Sequence, residues 1–329
     1  MSDNQTKILI SAAVAVGTLA TATLAYLHAK KTNDPIPAKW KKVGEITDLN
    51  CFPVASCAPI KRKSFDCHKL GVQLESLFDR SFIVTRNDKQ VIGQHCPNLV
   101  LIQPKVDGNN LILSAPGRSD FVLDLAKLRK ESNRTKIDCK HTQVLGVDAG
   151  DPVGDWLSEH VGDEPGAIRL IFYPYNYPTK GVPERDRKYK DLKDEDVGTF
   201  HGKSSFMLIN QKSIDELNSK LDQMVKPLQF RPNFLVQGPE AFDEDTWKWV
   251  RIGENVVFRV VRPCNRCLFI TVNPDTGIGH PQNEPFKTLT KIRTIFKGDP
   301  PVMGIQLGLR IPGTVSIGDA VYINDESEV

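Results

Sequence analysis

From Gly44 onward the chain is cut into short runs of β-branched and aromatic residues separated by turn residues. Runs of that length bury an apolar face only by pairing side by side, so they commit the chain to sheets. In the first half they are RSFIVT from Arg80, NLVLIQP from Asn98, NLILS from Asn110, FVLDL from Phe121 and AIRLIFY from Ala167. Turns are expected at Arg86-Asn87-Asp88 and Asp107-Gly108-Asn109,. One helix interrupts the series, with Asp151 as N-cap, Pro152 at the first helical position, and Trp156, Leu157 and Val161 on one face before Gly162,. The second half carries SFMLIN from Ser205, VVFRVVR from Val256 and LFITV from Leu268 as strands. It adds a helix opened by a Ser213/Glu216 capping box, whose Ile214, Leu217, Leu221 and Met224 face the core, and a second helix over Pro285 to Phe296,. IPGTVSIGDAVYIN from Ile311 alternates glycine turns with apolar residues, a pattern suited to closing a barrel,. The expected class is α+β, mainly β: a β-barrel with peripheral helices, without internal repeats and without a glycine-rich phosphate loop.

Two segments fall outside that pattern. Ile8 to Leu27 is free of charge, and a helix over it would reach roughly 30 Å, the hydrocarbon thickness of a bilayer,. It reads as a single N-terminal transmembrane helix, with a cleaved signal peptide as the competing reading. Lys30, Lys31, Lys39, Lys41 and Lys42 follow it, which places the rest of the chain in the cytosol by the positive-inside rule,. Seven cysteines, an odd number spread over 329 residues, also suit a reducing compartment,. The second segment, 178–203, is crowded with charges of both signs and reads as a solvated loop or a lid,. The organisation expected is an anchor over 8–27, a juxtamembrane linker over 28–44, a β-rich subdomain over 45–177, the charged loop, and a C-terminal barrel domain over 204–325. With 43 basic and 40 acidic residues the balance is too even to imply nucleic acid,.

The chemistry-bearing stretch is VVFRVVRPCNRCLFITVNPDTG from Val256, where Cys264 and Cys267 sit among Arg262, Pro263 and Arg266. Neighbouring guanidinium groups favour a thiolate, which is a soft metal ligand. The same pair also reads as half of a structural zinc site, completed by Cys51 and Cys57, or as two ordinary buried thiols.

CFPVASC at Cys51, FDRSFIV at Phe78, QFRPN at Gln229, RPCNRCLFITVNPDTG at Arg262 and IPGTVSIGDAVY at Ile311, taken together with the N-terminal apolar run, resemble the mitochondrial amidoxime-reducing component family. These are membrane-anchored MOSC-domain proteins that carry a molybdenum cofactor. The resemblance spans residues 8 to 324, and its specific part is the C-x-R-C followed by T-V-x-P-x-T-G. It implies a MOSC barrel preceded by a β-rich MOSC N-terminal subdomain. It also implies Mo-molybdopterin as cofactor, with Cys267 as metal ligand and catalytic residue. Ser56, Arg80, Ser204, Arg231, Asn265 and Arg266 would lie around that cofactor. The implied reaction is reduction of small N-hydroxylated substrates, with electrons from cytochrome b5 and cytochrome b5 reductase, at the mitochondrial outer membrane.

The chain departs from the family at Ala55, where a basic residue is common, at Gly202, near which relatives place an acidic one, and at Gln306, where some present a tyrosine. A carboxylate beside the metal would serve proton delivery. These departures keep a second expectation open: a MOSC module that binds or carries the molybdenum cofactor or sulfur without catalysing reduction.

Overall fold

The computed structural model describes residues 35–139, 142–295 and 298–325, and the expected anchor over 8–27 lies outside them. Among the described residues no helix is long and apolar enough to cross a membrane. Part of the expected linker is sheet. β1 (Trp40–Cys51) begins inside it, and Trp40 to Glu45 pair with the last strand of the chain.

After β1 come β2 (Phe82–Arg86), β3 (Lys89–Gln90), β4 (Thr135–Cys139), β5 (Thr142–Asp148) and β6 (Arg169–Phe172). In the order β4-β5-β6-β2-β3 they form a small closed barrel. α1 (Leu125–Lys130) and α2 (Asp151–Val161) lie between its strands in sequence. Pro152 starts α2 as expected, but Gly150 rather than Asp151 is the N-cap, and Gly162 ends the helix at φ 77°,. A three-stranded sheet of Gln103–Asp107, Asn110–Ser114 and Phe121–Asp124 accompanies the barrel. The expected strand at Asn98 is a 3₁₀ turn, Pro97–Leu101, because Pro97 sets a turn there that buries Leu99 and Val100,.

The larger barrel uses β7 (Phe206–Asn210), β8 (Phe234–Gln237), β9 (Trp249–Ile252), β10 (Val256–Asn265), β11 (Val302–Ile311) and β12 (Ala320–Asn324). The order is β8-β7-β11-β10-β9-β12-β1, and β1 pairs again with β8 through Leu49 and Phe234, which returns the sheet on itself. Phe206, Phe234 and Phe258 pack against one another in its interior, all fully buried. Gly313–Ser316 pairs with Ser64–His68, so the C-terminal turn region is stitched to the first half of the chain. α3 (Gln211–Asn218) is capped by Asn210, whose side chain accepts from Lys212 N, and not by Ser213. Ser213 lies inside the helix and donates to the buried Glu244. α4 (Phe286–Ile292) is shorter than the expected helix, whose last residue Phe296 falls outside the described set.

Segment 178–203 corrects the expectation of a solvated loop. It forms two short 3₁₀ turns and buries Val182, Leu192 and Val197 against Val261 of β10. Its charges are tolerated because partners arrive from distant strands. Asp186 meets Arg262, and Asp196 meets Arg310 of β11 at 2.6 Å.

Candidate cofactor site

Asn265 ends β10 and Arg266 and Cys267 follow it, while Arg80 and Ser204 lie two residues before β2 and β7, Arg231 three before β8, and Ser56 in a turn after β1. β10 and β11 pair with register shifts between Val260 and Arg262 and between Pro263 and Asn265. Bulges tolerate a proline and re-aim side chains, and these two deliver Arg262, Asn265 and the following Cys267 to one end of the barrel. Opposite them Gly304 adopts φ 70°, and a Cβ there would lie 2.5 Å from the Leu208 carbonyl, so only glycine fits,. The chain after Cys267 forms a 3₁₀ turn, Leu268–Thr271, in place of the expected LFITV strand. Cys267 is its N-cap residue and is exposed, whereas Cys51, Cys57, Cys67, Cys96, Cys139 and Cys264 are buried.

Two cavities of about 540 and 180 Å³ meet at this point. Arg80, Gly202, Phe230, Arg231, Asn265, Arg266 and Cys267 line both. Ser56 and Ala55 line the smaller one, and Ser204 and Gln306 the larger. The structure therefore brings all seven expected site residues around one continuous space. Three of them, Ser56, Arg80 and Arg231, have left-handed backbones at φ 71°, 54° and 54°. That conformation costs a non-glycine residue of order 1–3 kcal/mol and persists only where surrounding structure enforces it.

The three arginines differ in what their side chains do. Arg266 is buried, and its guanidinium donates to the Met303 carbonyl and, at 2.9 Å, to the Phe230 carbonyl. It fastens β11 and the Phe230 turn behind Cys267, so its donors are already committed and do not point freely at a phosphate. Arg80 is paired with the buried carboxylate of Asp79. Among the described residues Arg231 makes no ion pair with a carboxylate. It stacks 4.0 Å from the Phe52 ring centroid, and its Nη2 is buried without a hydrogen bond. Burial, followed by the nearby Arg80 charge, pushes its pKa down to about 9, still high enough to keep the cation at neutral pH,. Arg231 lines both cavities, and a guanidinium without an ion pair is suited to receive an anion,.

Sequence reasoning missed the support behind Arg80. Asp79 accepts from Phe52 N at 2.6 Å and from His201 Nε2 at 3.0 Å, and Thr199 Oγ1 donates to the Asp79 and Arg80 carbonyls. Burial pushes the Asp79 carboxyl up, but the Arg80 charge and the His201 bond outweigh it and hold it below its ordinary value. Burial takes His201 down to about 4, so the neutral ring serves as a donor to Asp79. No local motif joins residue 79 to 199 and 201, and no spacing rule would have found them.

Ser56, Ser204 and Asn265 are placed as follows. Ser56 Oγ accepts from Gly93 N at 2.9 Å, and Ser204 Oγ donates to the Phe206 carbonyl at 3.1 Å. Asn265 accepts from Arg262 and donates to the Pro300 carbonyl at 3.2 Å. Among the described residues no group of three or more His, Cys, Asp or Glu side chains is placed to hold a metal. That overturns the zinc reading. Burial drives the Cys51 thiol well above its ordinary pKa and the Cys57 thiol to about 12, so neither supplies a thiolate beside Cys267,.

Residues 43–164 match the MOSC N-terminal beta barrel domain and residues 195–322 the MOSC domain. The chain is 32% identical over 293 residues to mitochondrial amidoxime-reducing component 1 of Danio rerio, covering 86% of each chain. The chain belongs to the mitochondrial amidoxime-reducing component family. The Homo sapiens protein of the same name is 30% identical over 292 residues, covering 86% of this chain and 84% of its own. Mitochondrial amidoxime reducing component 2 of Bos taurus is 31% identical over 296 residues, covering 86% and 84%. In this member of the family, Ala55, Gly202 and Gln306 line the two cavities and so stand at the site itself.

Proposed function

We propose that this family member is a reductase of N-hydroxylated compounds of the amidoxime type and works with a molybdenum cofactor seated in the paired cavities. The observation that carries the reading is the single exposed thiol, Cys267, at the junction of two cavities that Arg231 also lines. One thiolate is too few to hold a metal, so the remaining soft ligands must come from the cofactor, which fits a dithiolene-bearing pterin. Its phosphate suits Arg231 and Arg80, which line both cavities, with the Ser56 and Ser204 hydroxyls as lesser partners. When bound, this cofactor would supply two-electron oxygen-transfer chemistry. The overall change breaks the substrate N–O bond, takes up two electrons and two protons, and releases water and the N–H product. Arg266 holds the strand that presents Cys267, and Asn265 is fixed by Arg262 beside it.

Electrons would come from cytochrome b5 and cytochrome b5 reductase. The uncharged Ile8–Leu27 run would tether the protein to the mitochondrial outer membrane with its C-terminal part in the cytosol, close to donors on the same surface,. The test is the Cys267→Ala variant assayed with benzamidoxime. Reduction should vanish while the fold, followed by circular dichroism, is kept, and retained turnover would refute the assignment.

One observation favours the non-catalytic alternative. Both carboxylates that line the cavities are paired, Asp186 with Arg262 and Lys203 and Asp299 with Lys188 at 3.8 Å, so neither is a ready proton donor. A carrier would hold molybdenum and pterin in full yet show no electron-dependent turnover.

A further inference from the structure

We propose that the mouth of the larger cavity selects N-hydroxylated substrates bearing an anionic group, such as a carboxylate or phosphate, over neutral and cationic ones. This substrate class rests on the reductase reading above. Seven cationic side chains and two carboxylates line the larger cavity. Arg80, Arg231 and Arg266 are shared with the smaller cavity and form the inner wall around Cys267. Arg185, Lys188, Lys203 and Arg262 line the larger cavity alone, as do Asp186 and Asp299, so the outer part carries an excess of two positive charges.

The exposures show what those outer charges can reach. The side chains of Arg185 and Lys188 are 50% and 58% exposed, so they meet whatever enters from water. The Asp186 carboxylate is 4% exposed, covered by Lys203 and Arg262, and offers little to a visiting cation. Arg262 is itself held over the Tyr189 ring at 4.1 Å. Asp299 is more open, at 38%, and lies 3.8 Å from Lys188, so one net positive charge remains among the exposed outer groups. A cleft with an excess of one sign of charge raises the local concentration of oppositely charged ligands. The elements involved are the 178–203 segment, the bulged end of β10 and Asp299 before β11.

The test uses the full-chain, cofactor-loaded protein with reduced methyl viologen as electron source, which removes any effect of charge on a protein donor. Benzamidoxime, its para-carboxy derivative and its para-trimethylammonio derivative are compared by kcat/KM at low and high salt, and by calorimetric binding. The carboxylate should exceed the cation by about tenfold at low salt, with the gap shrinking as salt rises. Lys188→Glu should lower the carboxylate-to-cation ratio by about threefold to tenfold in both readouts, with molybdenum and pterin content retained. Equal values for all three compounds, a preference for the cation, or loss of molybdenum from Lys188→Glu would each overturn the proposal. In the last case these cations hold the cofactor instead. If none of the three is reduced, the reductase reading fails, and the binding ratio still decides the charge selectivity.

Discussion

Replacing Arg231 by methionine separates a binding arginine from a structural one. Burial holds this guanidinium at about 9, well below an ordinary arginine, and each pKa unit is worth about 1.4 kcal/mol,. Arginine keeps its proton at neutral pH, so the folded, cofactor-free protein carries the cost of a buried cation. Water in the adjoining cavities screens one side of the group and leaves a cost of about 2 kcal/mol. The stack on Phe52 at 4.0 Å offsets about 1 kcal/mol of that,. The sign then favours the variant: without cofactor, Arg231→Met should unfold in urea with stability equal to the parent or higher by about 1 kcal/mol. The same change removes charge-assisted bonds worth about 3 kcal/mol together, so cofactor affinity should fall about 100-fold and pterin should be largely lost on purification. The assay is urea unfolding of both cofactor-free proteins, together with pterin quantified from both loaded preparations. A loss of more than about 2 kcal/mol in the cofactor-free variant, or full pterin retention, would refute the reasoning.

The reverse outcome is expected at Arg266, where the Met303 and Phe230 carbonyls lose their donors. Arg266→Met should cost about 3–5 kcal/mol in urea unfolding even without cofactor,. Asp186→Asn leaves the buried Arg262 without its charge partner and should cost about 3 kcal/mol by the same measurement,. Burial raises the Glu244 carboxyl above its ordinary pKa, despite hydrogen bonds from Ser213 and Asn210. The folded state therefore binds this proton more tightly than the unfolded one. The stability that Glu244 contributes is present at acid pH and lost as pH rises through the folded pKa. Glu244→Gln should accordingly be more stable than the parent at neutral pH, with the gap closing in acid, as read from urea midpoints across pH.

Much of the architecture was legible because alternation and turn residues dictate it locally. VVFRVVR, SFMLIN and the glycine-punctuated end all appear as strands, and both halves close into barrels. Two of the errors, at Ser213 and in the charged segment, trace to a partner distant in sequence, whereas the Pro97 turn is local. Ser213 matches a capping box, yet its hydroxyl is claimed by Glu244 and Asn210 caps the helix. LFITV has strand composition, but β10 ends in a bulge at Asn265, and only Ile270 and Thr271 of the following turn are buried. The charged segment looked unable to pack because Arg262 and Arg310, which neutralise Asp186 and Asp196, lie 76 and 114 positions away. The site shows the same division. The motif residues do converge on one space. Adjacency in the motif, however, could not show that Arg266 turns its side chain to backbone carbonyls, nor that Asp79, His201 and Thr199 brace Arg80.

The most direct measurement of the central claim is molybdenum, zinc and pterin content of the full-chain protein beside its Cys267→Ala variant. Near-stoichiometric molybdenum and pterin in the parent, with the metal lost from the variant, is the result expected of a cofactor seated at Cys267. Zinc without pterin, or molybdenum held equally well without the Cys267 thiol, would contradict it.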